Sequence, residues 1–180
     1  MQGKKVYFMK YVNYYQSPLG NILLAADDDG LTGLWFEGQK HYAKGLNADF
    51  MAKNIPVFEE TEHWLDIYFS GNEPDFAPPL HLVGTNFQKE VWEILLKIPY
   101  GCTTTYRGIA KEVAGKHGLK NMAAQAIGNA VGRNPISIIV PCHRVIASNG
   151  SLTGYAGGID KKLYLVFPLV FLYYIRYHQI

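Results

Sequence analysis

The sequence predicts a mixed α/β (α+β) protein in which an antiparallel sheet precedes a mostly helical region. Short aromatic and β-branched segments separated by turn residues fill the first 40 positions, and apolar residues at helical spacing begin after residue 85. Residues 1–84 carry 6 Lys+Arg against 11 Asp+Glu, whereas residues 85–180 carry 11 against 4. Because 48% of the residues are hydrophobic, the chain can bury a core, and a wholly disordered protein is excluded.

The N-terminal region predicts a three-stranded antiparallel meander. Two of its apolar runs are separated by Asp-Asp-Asp-Gly, a sequence that favours a tight turn between strands. The predicted strands cover residues 5–15, 21–26 and 31–36, with turns at 17–20 and 27–30. A helix is predicted near residues 57–70, on the C-terminal side of the meander.

A domain boundary is predicted where Pro78 and Pro79 interrupt regular structure. We therefore expect an N-terminal α/β domain over residues 1–84 and a helical domain over residues 85–180. The basic balance of the second domain indicates that it binds a polyanion, although charge distribution alone identifies no fold.

The second domain begins with a helix whose start is specified locally. Thr85 is a favourable N-cap and Gln88, three positions on, completes a capping box. Helical spacing then continues as far as Pro99.

Two further helices are predicted, one from Thr105 to Ala114 that ends at Gly115, and one from Met122 to Val131. Together they resemble a helix-turn-helix with a long connection. The second helix is rich in Ala and Gly, so its backbone can come close to DNA or to a neighbouring helix.

A candidate nucleophile follows the apolar run 136–140, which predicts a short buried strand. Cys142 lies where this strand would stop, next to His143 and Arg144. A free thiol has a pKa of about 8.5, and positive neighbours raise the reactive thiolate fraction. Those three residues alone fit a buried, inert cysteine equally well.

The other cysteine and the histidines suggest no further chemistry. Cys102 has no neighbouring His, and two cysteines forty positions apart exclude a disulfide-dense scaffold or a Cys-rich zinc site. We expect no metal site, because four histidines lack a Cys or His partner at ligand spacing; these are His41, His63, His81 and His117. No long apolar segment follows Met1, so we expect a cytoplasmic protein with reduced thiols and no signal peptide.

A family resemblance gives this cysteine its context. The residues around it, Pro-Cys-His-Arg-Val-Ile at 141–146, resemble the active-site signature of the O6-alkylguanine-DNA alkyltransferases, the methylated-DNA–protein-cysteine methyltransferases. Further blocks resemble the same family in the same order and bring the similarity to roughly residues 16–162. They are 17–20, 84–88, 91–92, 98–101, 105–106, 134–136 and 154–158. The resemblance implies a ribonuclease-H-like N-terminal region and a winged-helix-like DNA-binding C-terminal domain.

The resemblance also implies a DNA-repair reaction. The second helix of the helix-turn-helix enters the minor groove of double-stranded DNA, and the O6-alkylguanine is flipped into a pocket. The thiolate then takes the alkyl group in a single displacement that nothing reverses, so each molecule acts once. The alkyl donor is the DNA, and no cofactor is implied.

Individual roles follow from the matched positions. Cys142 matches the alkyl acceptor, and His143 matches the base that takes its proton through a water. Asn134 matches the residue that ties the recognition helix to the active-site turn, and Tyr106 matches the residue that assists base rotation and protonates the leaving guanine. Taken singly, Tyr106 also fits a core aromatic residue and His143 a surface residue. The guanine pocket is matched by Val145, Tyr155 and Ala156, and DNA contacts are expected from Gln125, Ala123, Ala126, Arg133 and Thr105.

Two departures from the family pattern bear on activity. Gln125 stands where the family has an Arg in the recognition helix. The Glu that the family places beside its His falls at or near Leu169, next to Pro168, in an atypical tail over 163–180 where residues 163–175 contain no acidic residue. Residues 163–175 of this tail carry no charge and are too few to span a bilayer. We expect a monomer, although such an apolar tail could also be a dimer contact, a divergent end or a reading-frame change.

Two other functions were weighed against repair. A damage-recognition protein that binds alkylated guanine without repairing it is favoured by Gln125 and the missing Glu, but relatives of that kind lack the acceptor Cys. A metal-binding regulator is disfavoured by the histidine spacing.

Overall fold

The computed structural model describes residues 10–46, 50–152 and 154–166. Its elements confirm the predicted mixture of an antiparallel-rich sheet and helices. The predicted strand residues 5–9 lie outside the described part, as do Pro168 and Leu169. The strands of the first region are β1 (Lys10–Ser17), β2 (Gly20–Asp27), β3 (Gly30–Phe36) and β4 (Phe50–Ala52), and its helix is α1 (Pro56–Phe69).

The N-terminal sheet has the strand order β3-β2-β1-β4. The meander is antiparallel as predicted, and Ser17 pairs with Gly20 across the first turn. The sequence analysis missed β4, a three-residue strand that pairs with β1 in parallel. Helix α1 packs Phe58, Leu65 and Tyr68 into the core, and all three are at most 1% exposed.

The C-terminal region is mostly helical. Thr85 Oγ1 accepts a hydrogen bond from the backbone of Gln88 at 3.2 Å, and the Gln88 side chain accepts one from the Thr85 backbone at 3.0 Å, which confirms the capping box. The helices are α2 (Asn86–Leu95), α3 (Tyr106–Lys116), α4 (Ala124–Val131) and α5 (Ile159–Val166). Between α4 and α5 lie a 3-10 turn (Cys142–Arg144) and β6 (Val145–Ile146), which pairs in parallel with β5 (Thr104–Thr105).

The ends of two predicted helices differ slightly from those in the structure. Gly115 does not end α3, which continues to Lys116. The chain leaves the helix at Gly118, whose φ of 64° suits glycine, and the Leu119 amide closes the end by donating to the carbonyl of Ala114 at 2.8 Å. Helix α4 begins at Ala124 and not at Met122, because Ala123 has an extended backbone.

The segment 136–140 is buried as predicted, but it is not a strand. Its single bridge to a strand joins Ile136 to Leu34, and the chain then turns tightly through Ile138, whose φ is 69°. The amide of Val140 donates back to the carbonyl of Ile136 at 3.1 Å. An apolar run indicates burial, and here it does not distinguish a strand from a buried turn.

The two regions share one hydrophobic core. Leu34 of β3, Val91 of α2 and Ile127 of α4 are all fully buried in it. Backbone hydrogen bonds of 2.9 Å from Leu34 to Pro135, and from Ser137 to Leu34, fasten the sheet to the buried turn that precedes Cys142. Among the described residues, no helix combines the length and apolarity needed to cross a membrane.

Candidate active site

Cys142 opens a 3-10 turn that follows the buried segment 136–140. Its side chain is contacted by Asn134, which lies just beyond the C-terminal end of α4. The Asn134 side-chain amide donates to Cys142 Sγ at 3.1 Å and to the carbonyl of Val140 at 2.8 Å. Its Oδ1 accepts from the backbone of Ile136 at 2.9 Å. One side chain therefore fixes the turn and contacts the sulfur.

The sulfur is buried, since Cys142 is only 6% exposed. Burial raises the pKa of the Cys142 thiol, because it disfavours the thiolate. The hydrogen bond from Asn134 and the positive charge of Lys162 act in the opposite direction. The sequence predicts that the charges of His143 and Arg144 favour the thiolate. In the structure the favourable contributions come from Asn134, from Lys162 and from backbone hydrogen bonds of the turn itself.

His143 is fully buried, so its interpretation as a surface residue is wrong. Its Nε2 lies 2.9 Å from the hydroxyl of Tyr68, and its Nδ1 is buried without a hydrogen-bond partner among the described residues. Burial lowers the pKa of His143 well below 6.5, and the charges of Arg144 and Lys162 lower it further. The imidazole is therefore neutral near pH 7.

Lys162 belongs to this site and was missed by the sequence analysis. It is 0% exposed, and its ammonium donates to the carbonyl of Val145 at 2.6 Å. Burial lowers the pKa of Lys162, while a Cys142 thiolate raises it. The available signal is the position of Lys162 on α5, where it shares a buried face with Tyr164 and Leu165. Tyr68 was also missed as a site residue, because 75 positions separate it from His143.

Two tyrosines also lie near the sulfur: Tyr106, predicted as a catalytic residue, and Tyr155, predicted in the guanine pocket. Burial raises the pKa of Tyr106 and of Tyr155, and the negative charge of a Cys142 thiolate raises both further. The Tyr106 hydroxyl donates to the carbonyl of Gly154 at 3.4 Å. Val145 is fully buried behind the reactive turn.

Ala156, the third residue expected in the pocket, joins the segment after Tyr155 to the N-terminal region. Its carbonyl accepts from the backbone of Lys40 at 3.1 Å.

The residues expected to contact DNA do not form one group. Ala123, just before α4, and Gln125 on α4 are exposed and Ala126 is half-buried, while Ile127, Ala130 and Val131 bury the opposite face. Thr105 is half-buried and caps α3, accepting from the backbone of Gly108 at 3.0 Å. Arg133 is exposed beyond the end of α4 and lines a cavity of about 520 Å³ with Lys10, His41 and Lys44.

A separate polar cluster lies in the N-terminal region. Asp27, Asp29 and His81 place ligand-type atoms within 4.8 Å of one another. His81 Nδ1 lies 2.7 Å from the Asp27 carboxylate, so these two groups already satisfy each other. The sequence analysis considered only Cys and His spacing and therefore missed this arrangement.

The chain matches a known family over most of its length. The model of the 6-O-methylguanine DNA methyltransferase ribonuclease-like domain matches residues 10–82, and the model of the 6-O-methylguanine DNA methyltransferase DNA-binding domain matches residues 86–166. The methylated-DNA–protein-cysteine methyltransferase of Methanosarcina acetivorans is 45% identical over 157 residues, which are 87% of this chain and 96% of the relative. That of Mycobacterium leprae is 45% identical over 150 residues, 83% of this chain and 86% of the relative.

A solved structure agrees with these sequence matches. The crystal structure of Mycobacterium tuberculosis OGT in complex with DNA superposes with a TM-score of 0.75 at 39% identity, covering 87% of this chain and 90% of that one. The chain belongs to the methylated-DNA–protein-cysteine methyltransferase family.

Proposed function

We propose that this protein repairs DNA by transferring the alkyl group of O6-alkylguanine to Cys142, once per molecule. The observation that carries the proposal is the hydrogen bond from Asn134 to Cys142 Sγ, because it joins a nucleophile to the end of the exposed helix α4. Membership of the family and its Mycobacterium tuberculosis relative crystallised with DNA support the same conclusion.

The reaction is one nucleophilic displacement. The Cys142 thiol loses its proton through a water to the neutral imidazole of His143. A bond forms between Sγ and the alkyl carbon, the bond from that carbon to O6 breaks, and the electron pair stays on the guanine. Tyr106 donates a proton to the leaving guanine. No further step removes the alkyl group from the thioether, so one protein molecule is consumed for each lesion repaired.

Two groups lower the free-energy cost of forming a buried thiolate at Cys142. The Asn134 amide donates to the sulfur, and the buried Lys162 ammonium supplies a nearby positive charge. Both are fixed before the base arrives, so little reorganisation accompanies the reaction. Val145, Tyr155 and Ala156 form the wall against which the guanine is held.

Double-stranded DNA is the proposed partner, bound through the second domain, residues 85–180. The alkyl carbon of a stacked guanine cannot reach a sulfur that is 6% exposed, so the base must leave the helix. The exposed face of α4 carries small residues and Gln125, and it suits close approach to the minor groove. A cytoplasmic location is part of the proposal, since a reducing compartment keeps the acceptor thiol unoxidised.

The alternative function is recognition of alkylated guanine without repair. One structural observation favours it: Gln125 is exposed on α4 and offers no positive charge to DNA. Repair remains the better proposal, because a protein that only binds damage needs neither a nucleophilic sulfur nor an amide bonded to it.

Intact-mass measurement after incubation with an O6-methylguanine duplex tests the proposal. Repair predicts one added methyl group per molecule, absent in Cys142→Ser and retained in the matched control Cys102→Ser, which removes the exposed thiol and leaves the buried one. An unmodified mass together with tight binding to the duplex favours recognition. An unmodified mass with no preference for the lesion contradicts both functions.

A further inference from the structure

The imidazole of His143 is held from the N-terminal region. Tyr68, in the last turns of α1, is 1% exposed, and its hydroxyl lies 2.9 Å from His143 Nε2. The same hydroxyl donates to the carbonyl of Leu165 on α5 at 3.3 Å. Helix α1, the reactive turn and α5 therefore meet at one oxygen atom.

The tautomer of His143 follows from which of these three groups can donate a hydrogen bond and which can only accept one. A tyrosine hydroxyl has a single proton, and a carbonyl can only accept. Directing that proton to Leu165 lets the Tyr68 oxygen accept from His143, whose Nε2 then carries the ring proton. The opposite tautomer would bury a protonated Nδ1 with no acceptor among the described residues, an arrangement that proteins rarely tolerate. In a neutral imidazole the other nitrogen is unprotonated. Nδ1 is that nitrogen, and among the described residues no group occupies it.

We propose that Tyr68 is the positioning residue of His143: its hydroxyl, hydrogen-bonded to Leu165, holds the imidazole as the Nε2–H tautomer and leaves Nδ1 to accept the proton of Cys142 through a water. This inference rests on the proposed repair function for its kinetic consequence, but not for its structural one. It gives the N-terminal region a direct part in the chemistry, through a side chain that never touches the substrate.

The position of Tyr68 is well defined by packing. Its ring stacks on Trp64 at 5.1 Å between centroids and meets Tyr100 edge-on at 5.8 Å. It also lies edge-on to the His143 ring at 6.2 Å. A buried tyrosine held on several sides keeps its hydroxyl in one place, which a hydrogen bond that selects a tautomer requires.

A hydroxyl in this position differs from a carboxylate in one respect. It orients the ring without adding negative charge, so it does not strengthen the imidazole as a base. The charged groups that face the site are Arg144 and Lys162, and both disfavour an imidazolium. Leu169, at the position where the resemblance implies a Glu, has no side-chain acceptor. Tyr68 therefore fixes the geometry of a weakly basic histidine.

Nitrogen-15 NMR of His143 and single-turnover transfer, each measured in wild type and Tyr68→Phe, test this inference. The wild type is expected to show a neutral ring protonated at Nε2. Tyr68→Phe, which removes only the hydroxyl, is expected to mix the two tautomers and slow methyl transfer about 10- to 100-fold, the usual effect of losing a group that orients an active-site histidine. Tyr100→Phe is the matched control: its hydroxyl is buried without a partner among the described residues, and both readouts should stay unchanged.

The two readouts separate the possible failures. If the wild-type ring is protonated at Nδ1, the inference is wrong. This measurement needs no variant, so it decides the inference even if Tyr68→Phe folds poorly. An unchanged tautomer and rate in Tyr68→Phe overturn it as well. If the wild type transfers no methyl group, the repair function fails, and the NMR result still decides the role of Tyr68.

Discussion

Asn134 Nδ2 lies 3.1 Å from Cys142 Sγ and also donates to the carbonyls of Val140 and Ile136. A single buried amide group thus shapes the turn and contacts the reactive atom. These two roles can be measured separately. The free energy of unfolding depends on the hydrogen bonds within the turn, and the rate of methyl transfer depends on the contact with the sulfur.

Asn134→Ala is expected to lower both quantities. The buried backbone groups of the turn lose their partner, which should cost about 2–4 kcal/mol of unfolding free energy. The thiolate also loses a donor, so methyl transfer should slow about 10- to 100-fold. Urea unfolding and single-turnover transfer measure the two effects. Asn72→Ala, at an exposed asparagine that bonds only to Ser70, is the control and should change neither. Normal transfer in Asn134→Ala contradicts the assigned role.

Lys162→Met removes a buried ammonium while keeping the length of the side chain. The Cys142 thiolate loses a nearby positive charge, so the pKa of Cys142 should rise and transfer at pH 7 should fall roughly tenfold. The free energy of unfolding should change little. The Val145 carbonyl loses its hydrogen-bond donor, but the folded protein no longer has to bury a charge. The measurement is the pH dependence of single-turnover methyl transfer to Cys142, made in a Cys102→Ser background. Lys161→Met, which removes an ammonium lying over the Phe36 ring, should leave this profile unchanged.

Acid should destabilise the protein through His143. The pKa of His143 is lowered well below 6.5 by burial, so below about pH 6.5 the unfolded chain binds a proton that the folded protein does not. The stability contributed by the neutral ring is complete above pH 6.5 and is lost as the pH falls, with a limiting slope of about 1.4 kcal/mol per pH unit for this group. Urea unfolding at several pH values measures the slope. His143→Asn should show a shallower one, and an identical slope would contradict a depressed pKa.

Gly154 and Gly150 offer a matched pair of substitutions. Both have positive φ, 90° and 83°, so alanine is strained at either position. At Gly154 a Cβ would also lie 2.9 Å from the Tyr106 hydroxyl, whereas nothing lies within 4 Å at Gly150. Both variants should lose about 1–2 kcal/mol of stability, and Gly154→Ala alone should slow transfer by displacing Tyr106. Equal transfer rates in the two variants would argue against a catalytic Tyr106.

Gln125→Arg should strengthen DNA binding and steepen its dependence on salt. An added cation that neutralises one phosphate changes the slope of log K against log salt by about −0.9. Fluorescence anisotropy with an O6-methylguanine duplex between low and moderate salt measures it. Gln16→Arg places the same charge on the exposed side of β1 and should leave the slope nearly unchanged. A slope that stays constant in Gln125→Arg counts against α4 as the DNA-binding helix.

Local signals predicted most of the fold. Turn residues between apolar runs located the meander, and the capping box at Thr85 fixed the start of α2, because both depend on neighbours within a few positions. Long-range pairing has no such signal, which is why β4 and the bridge from Leu34 to Ile136 were missed. The tight turn at Ile138 was taken for a strand, since burial is common to both.

The candidate site was only partly predictable for the same reason. The nucleophile and its adjacent histidine are contiguous in sequence, and Asn134 was matched through the resemblance. Tyr68 and Lys162 come from elements far along the chain, and residue type alone gave no indication that they meet at the reactive turn. The roles of all these residues remain predictions until the variants are measured.

The burial of Cys142 also determines how long an idle molecule stays competent. A thiol that is 6% exposed, with a raised pKa, reacts slowly with peroxide, glutathione disulfide or soluble electrophiles, because each of these needs an accessible thiolate. The exposed Cys102 meets such reagents first. The acceptor thiol can react only once, and its burial therefore keeps it unmodified until a flipped base arrives.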